Sequence, residues 1–285
     1  MASPTLPTVA IISLGSMGIG FARLLLAHSY PVLTSLQNRS TSTRARVLSL
    51  LSSSTSSSSS SIRCLDTDAE LVSAADVVLS IVPPEHAHST AVRIADAVRD
   101  SARGRREAER AGEAGKAPLY LLDLNAVSPR QARETAAAVA RAAGSSVIFI
   151  DGGIIGGPPK PIGGPPKSAY NPRGIDAEWQ RPSIPLSGPH ALDSLPNGKG
   201  LADVLNVKHV GDEVGKASGL KMCFASMNKG LTALGIQAFT TAQRLGVREE
   251  LEEHMRDFVP GIHKSVTGGL VGMPPKGTLR ESYSE

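Results

Sequence analysis

Aromatic residues are scarce: one Trp, four Tyr and five Phe in 285 residues. A core with so few rings has to be filled by Ala, Leu, Val and Ile, the packing habit of α/β proteins. Cysteine is scarcer still. With only Cys64 and Cys223, a disulfide scaffold is excluded and a reducing compartment such as the cytoplasm is the expectation. No apolar run approaches the ~18–20 residues that cross a bilayer, and no basic leader with a cleavage site opens the chain, so neither a membrane protein nor a secreted precursor is expected. An excess of one charge is missing too. Thirty Lys and Arg face 26 Asp and Glu, and the Arg103–Arg110 cluster is interrupted by Glu107 and Glu109, which reads as a solvated face with no role in nucleic-acid binding. What abounds is Gly, 28 residues, and Pro, 20 residues, the residues of turns and loops.

Between those loops, short β-branched runs alternate with helical patterns. Thr8–Leu14 reads as a strand that flows into Gly15-Ser16-Met17-Gly18-Ile19-Gly20 and a helix over Phe21–Ala27. Further strands are expected at Pro31–Gln37, Ile62–Leu65, Val77–Val82, Leu119–Leu122, Val147–Ile150, Ile184–Leu186 and Val207–Val210. Helices are expected at Asp68–Ala75, Glu85–Val98, Pro129–Ala143 behind a Ser128 cap, and Pro189–Leu195. This alternation predicts an α/β fold, a Rossmann-type doubly wound, mostly parallel sheet. Three stretches interrupt it as insertions: the serine run 52–61, the charged segment 101–117 and the Gly/Pro-rich segment 152–173. From Gly215 to Leu245 the chain has no proline and spaces Leu220, Cys223, Phe224, Met227, Leu231, Leu234 and Ala238 by threes and fours, which predicts one long helix with that stripe and the Cys223 thiol in a core. A second helix, Val247–Val259, is expected to stop at Pro260. The domains are therefore drawn as 1–212, nucleotide-binding, and 213–285, a smaller all-helical domain.

A helix N-terminus offers unpaired N–H groups and the positive end of the helix dipole, and glycine lets a pyrophosphate approach that backbone. The turn after the first strand matches the dinucleotide fingerprint as Ser13-x-Gly15-x-x-Gly18, with serine in the place of the first glycine. About twenty residues on, an acidic residue would bind the ribose of NAD. This chain instead has Gln37-Asn38-Arg39-Ser40-Thr41. An arginine that can fork onto a 2′-phosphate, with hydroxyls beside it, favours NADP, with NAD less favoured.

Ile11–Gly18, Asn38-Arg39, Ser80-Ile81-Val82-Pro83, Asp123-Leu124-Asn125-Ala126-Val127-Ser128-Pro129, Gly152–Gly157 and Gly215–Lys221 resemble, in order, the motifs of the 3-hydroxyacid dehydrogenases related to 6-phosphogluconate dehydrogenase. The resemblance implies an NADP- or NAD-binding Rossmann domain, a helical C-terminal domain on one long helix, a small, anionic substrate, and a homodimer made through the C-terminal helices. Carried over, the cofactor site comprises Gly15, Ser16, Met17, Gly18, Asn38, Arg39, Ser40, Val82 and Pro83. Substrate contacts fall on Asn125, Gly156 and Gly157, with Asn228 two turns past Lys221 on approximately the same helix face. Lys221 takes the acid/base position, since a lysine in a cleft can accept or return the carbinol proton during hydride transfer.

The chain departs from the family pattern at Asn125 and Ala126, where an amide and a methyl replace a pair of hydroxyls, and at Ile155, where a serine precedes the two glycines. The family also continues through more helices than the 40 residues after Leu245 allow. These departures keep two other functions open: a cofactor-binding protein without dehydrogenase activity, and an imine reductase, against which Lys221 argues. Two further candidates are set aside. His86 and His88, two apart on a helix, diverge too far to share a metal, and Lys160 and Lys167 flank the Gly/Pro segment as solvent-exposed side chains.

Overall fold

Apolar tetrads with nowhere to go but inward build the centre of the molecule. In the computed structural model, which describes residues 6–35, 62–109, 117–162 and 179–271, the strands are β1 (Val9–Ile12), β2 (Val32–Ser35), β3 (Ile62–Leu65), β4 (Val77–Ser80), β5 (Leu119–Asp123), β6 (Val147–Gly152), β7 (Lys160–Pro161), β8 (Trp179–Gln180), β9 (Ile184–Ser187) and β10 (Val207–His209). All but β7 and β8 join one sheet in the order β10-β9-β6-β5-β4-β1-β2-β3. Every pairing in it is parallel except β6 with β9. Its central strands β1, β4 and β5 are buried throughout, as parallel strands covered on both faces must be.

Eight described helices accompany the sheet: α1 (Ser16–Ala27), α2 (Asp68–Ala74), α3 (Pro84–Glu109), α4 (Pro129–Ala143), α5 (Gly198–Leu205), α6 (Lys216–Leu245), α7 (Arg248–Phe258) and α8 (Pro260–Val271). On one face, Val9, Ile11, Leu122 and Ile150 pack with Phe21, Leu24 and Leu25 of α1 and Leu201 and Leu205 of α5. On the other, Ala10, Ile12, Val78 and Leu121 pack with Leu71 of α2, Ile94 of α3 and Val139 of α4. The chain has the expected Rossmann-type architecture, a mostly parallel sheet between helices with a helical C-terminal region.

Several elements differ from expectation. Pro189–Leu195 holds only a short 3-10 turn, Leu192–Ser194, and the helix lies beyond it, in α5. Pro260 begins α8 and does not merely end α7, because the first helical position needs no N–H and suits proline's fixed φ. α3 runs through to Glu109, into the stretch read as an insertion. The serine run, and Asn38, Arg39 and Ser40, lie outside the described residues.

The chain divides into two compact units, Met1–Met222 and Cys223–Glu285. The division falls inside α6, about ten residues past the boundary drawn at 212. In the second unit Gly235 of α6 and Val266 of α8 pack so closely that a Cβ on the glycine would overlap the valine side chain. The apolar stripe of α6, expected in a core, is exposed at Phe224, Met227 and Leu234, and Cys223 is exposed with it. Periodicity reports that a helix has an apolar face; what covers the face depends on neighbours that periodicity does not contain.

Candidate active site

α1 starts where the fingerprint requires. Gly15 is its N-cap in an extended conformation, without a side-chain cap, and no acidic residue sits in the first turn. Among the described residues a Cβ on Gly15 would meet nothing within 4 Å, whereas one on Gly18 would overlap the Ser13 carbonyl oxygen. One glycine leaves open space over the helix end, and the other lets helix and strand close up. Ser13, in the place of the first glycine, takes a left-handed φ of 74°, a conformation that costs an L-residue roughly 1–2 kcal/mol. The turn thus keeps the glycine geometry without the glycine. An uncapped 12-residue helix with open space before it fits a dinucleotide pyrophosphate on these residues.

At the same C-terminal end of the sheet lies a row of polar residues. Ser80 pairs in register with Asp123, Asp123 with Asp151, and Asp151 with Ser187. All four are buried. Asp123 Oδ1 accepts from the Asn125 N–H (3.3 Å) and from Asn125 Nδ2, which also donates to Ser80 Oγ (3.1 Å). Asn125 Oδ1 accepts from the Val82 N–H at 2.7 Å. Asn125 is therefore braced inside the chain, with both amide donors used. It also holds the backbone of Val82, one of the two residues expected to border the cofactor. Asp123 Oδ2 has no partner among the described residues, and burial pushes this carboxyl up to about 6, opposed by the bonds from Asn125 and by His88 and reinforced by Asp151.

Asp151 is the reverse case. It accepts from Ser187 Oγ (2.9 Å), the Gly215 N–H (2.9 Å), the Ser218 N–H (3.1 Å) and Ser218 Oγ (2.5 Å). Ser187 Oγ in turn accepts from the Ala217 N–H at 2.9 Å. Gly215 has no side chain to cap α6, so the sheet supplies the cap. One turn on, the stem of Lys221 lies against Gly153, where an added Cβ would come within 3.0 Å of Lys221 Cβ, and Lys221 Nζ donates to the Ile154 carbonyl. From there the chain passes Gly156, at φ 127°, and Gly157, and its Pro158-Pro159 pair seats on α1: a Cβ on Gly20 would come within 2.8 Å of Pro159. The six steps from Gly153 to Pro159 span at most about 21 Å. Lysine and glycine turn are thus joined by one short segment of the first unit.

Asn228 is exposed, in the second unit. Ile155, in the place of a serine, uses both its backbone groups in a bridge to Ser183. No cluster of three metal-ligating side chains occurs among the described residues, and no described helix is long and apolar enough to cross a membrane. Sequence reading missed Asp151, Ser187 and Ser218. A signal was there: β4, β5, β6 and β9 each carry a Ser or Asp straight after an apolar run, too regular for solvent-facing strand ends.

Residues 8–165, more than half of the chain, match the family model described as the NAD binding domain of 6-phosphogluconate dehydrogenase. Nothing matches among curated proteins. Among solved structures the chain is similar to an imine reductase variant from Myxococcus stipitatus in complex with NAD+, at 19% identity and TM-score 0.61, covering 93% of this chain and 76% of that one. It is similar to the 3-hydroxyisobutyrate dehydrogenase of Mycobacterium tuberculosis with L-serine, at 16% identity and TM-score 0.59, covering 89% and 71%. It is also similar to a reductive aminase from Aspergillus terreus with NADPH and ethyl levulinate, at 20% identity and TM-score 0.56, covering 94% and 75%. At these identities the likeness speaks for the fold alone.

Proposed function

Because the chain belongs to the 6-phosphogluconate dehydrogenase family of NAD-binding proteins, we propose that this NAD(P)-binding oxidoreductase uses NADP and acts on a small, anionic hydroxy acid or its carbonyl form, with Lys221 as the acid/base. The observation that carries this reading is Lys221 Nζ on the Ile154 carbonyl, in the segment whose other end seats on the helix of the glycine turn.

The bound cofactor supplies or accepts the hydride. The amides of Gly15, Ser16, Met17 and Gly18 hold its pyrophosphate at the positive end of α1, and Arg39, with Asn38 and Ser40, takes the 2′-phosphate. Val82 and Pro83 border it, in the position that Asn125 maintains. Substrate enters beside Gly156 and Gly157; a Cβ on Gly157 would meet nothing within 4 Å among the described residues, whereas one on Gly156 would press on Pro182. Lys221 takes the hydroxyl proton as the alcohol is oxidised and returns it to the carbonyl oxygen in reduction. Homodimerisation through the C-terminal helices belongs to the same reading and is supported by the exposed apolar stripe of α6.

Turnover is tested by following NADPH absorbance with a panel of short 3-hydroxy acids and their carbonyl forms. Lys221→Met should abolish it while NADPH binding stays within about twofold of wild type. A Lys221→Met protein that turns over at the wild-type rate would remove the lysine from the mechanism, and imine reduction, which does without it, would become the better account.

A further inference from the structure

We infer that Asp151 is the positioning residue for Lys221. It joins the two elements whose meeting sets where the amine sits. On its own strand it leads within three residues to Ile154, the carbonyl that receives Lys221 Nζ. Through space it gathers the first turn of α6, accepting from the Gly215 N–H, the Ser218 N–H and Ser218 Oγ. Lys221 lies one turn beyond Ser218, at i+3, on the face that Ser218 presents to the strand. A closed ring results: Asp151 to Ser218, along the helix to Lys221, across to Ile154, and back along the chain to Asp151. Ser187 braces it from β9, donating to Asp151 and accepting from the Ala217 N–H.

The ring explains why a helix that starts on a glycine with a positive φ of 104° has an ordered first turn. A capping side chain on residue 215 itself would strike Pro129 and Arg133, each 3.0 Å or less from an added Cβ. The cap therefore comes from the sheet, which also fixes α6 in azimuth and along its axis.

The proposal rests on the acid/base reading of Lys221 for its meaning in catalysis, and its test does not need turnover. The whole chain is labelled with trace acetic anhydride across a pH series, and the acetylation rate at each lysine is read by mass spectrometry. Lys208, exposed on β10, serves as the internal standard. Wild type, Asp151→Asn, Ser187→Ala and Ser218→Ala are compared. Release from Ile154 should raise the Lys221 rate relative to Lys208 by roughly fivefold, the equivalent of one hydrogen bond, and move the midpoint of its pH profile, most in Asp151→Asn. A purely structural loss would raise all lysines together. If Asp151→Asn fails to fold, Ser218→Ala, which deletes a single hydroxyl, carries the test. Folded variants in which Lys221 keeps its wild-type rate and midpoint would overturn the proposal. Failure of the catalytic reading shows elsewhere, as turnover surviving Lys221→Met.

Discussion

Asp123 and Asp151 face each other across β5 and β6 with opposite surroundings. Four donors converge on Asp151, while Asp123 keeps one oxygen without a partner among the described residues and burial pushes its carboxyl up to about 6 from its ordinary 3.8. A carboxyl that holds its proton more tightly when folded makes the fold less stable as pH rises from about 3.8 through about 6, since the unfolded chain gives up its proton first. Two pH units correspond to a cost on the order of 3 kcal/mol above pH 6. Asp123→Asn keeps an acceptor for Asn125 and removes the charge. We expect it to be more stable than wild type at pH 8 by about 1–3 kcal/mol and to lose the advantage at pH 4, with Asp151 and His88, the other groups felt by Asp123, unchanged. Chemical denaturation at the two pH values checks this; equal stability differences at both would contradict it.

How helices begin is the chemistry that differs most among the elements. Thr67 and Glu70 close a capping box on α2, Ser128 caps α4, and the sheet caps α6. α1 starts on Gly15 with no side-chain cap. The first two are local, and the Ser128 cap was legible as sequence, as were the apolar strands and the α1 turn, because neighbours in the chain decide them. The cap of α6 was not, because its donors and acceptors are 30 to 67 residues apart. α5 was missed because Gly198 and Gly200 dilute an apolar pattern that only its packing against Tyr30 and α1 makes sense of. The stripe on α6 was legible as a stripe and misplaced as a core. If that face is covered by a second copy of the chain, light scattering should return twice the 29.7 kDa chain mass, and Met227→Glu, placing a charge on a residue 67% exposed, should return the single mass without unfolding. A wild-type monomer would contradict the homodimer.

In the whole molecule, two features separated in sequence lie at the same end of a parallel sheet, the end where such sheets bind ligands. Gly15–Gly18 arrives there from β1 and Lys221 from the first turns of α6, and the Gly153–Pro159 segment links them. The departures at Ala126 and Ile155 leave both intact: the backbone of Ile155 ties to Ser183, and the Asn125 beside Ala126 ties to Val82. Cofactor binding therefore rests on β1 and the glycine turn, and in the proposed function the choice between NADP and NAD falls to Arg39. Calorimetric titration of the purified chain with NADPH and, separately, NADH tests this directly. The account predicts that NADPH binds at least tenfold tighter and that Arg39→Ala removes the difference; a chain that binds neither, or prefers NADH, would contradict it.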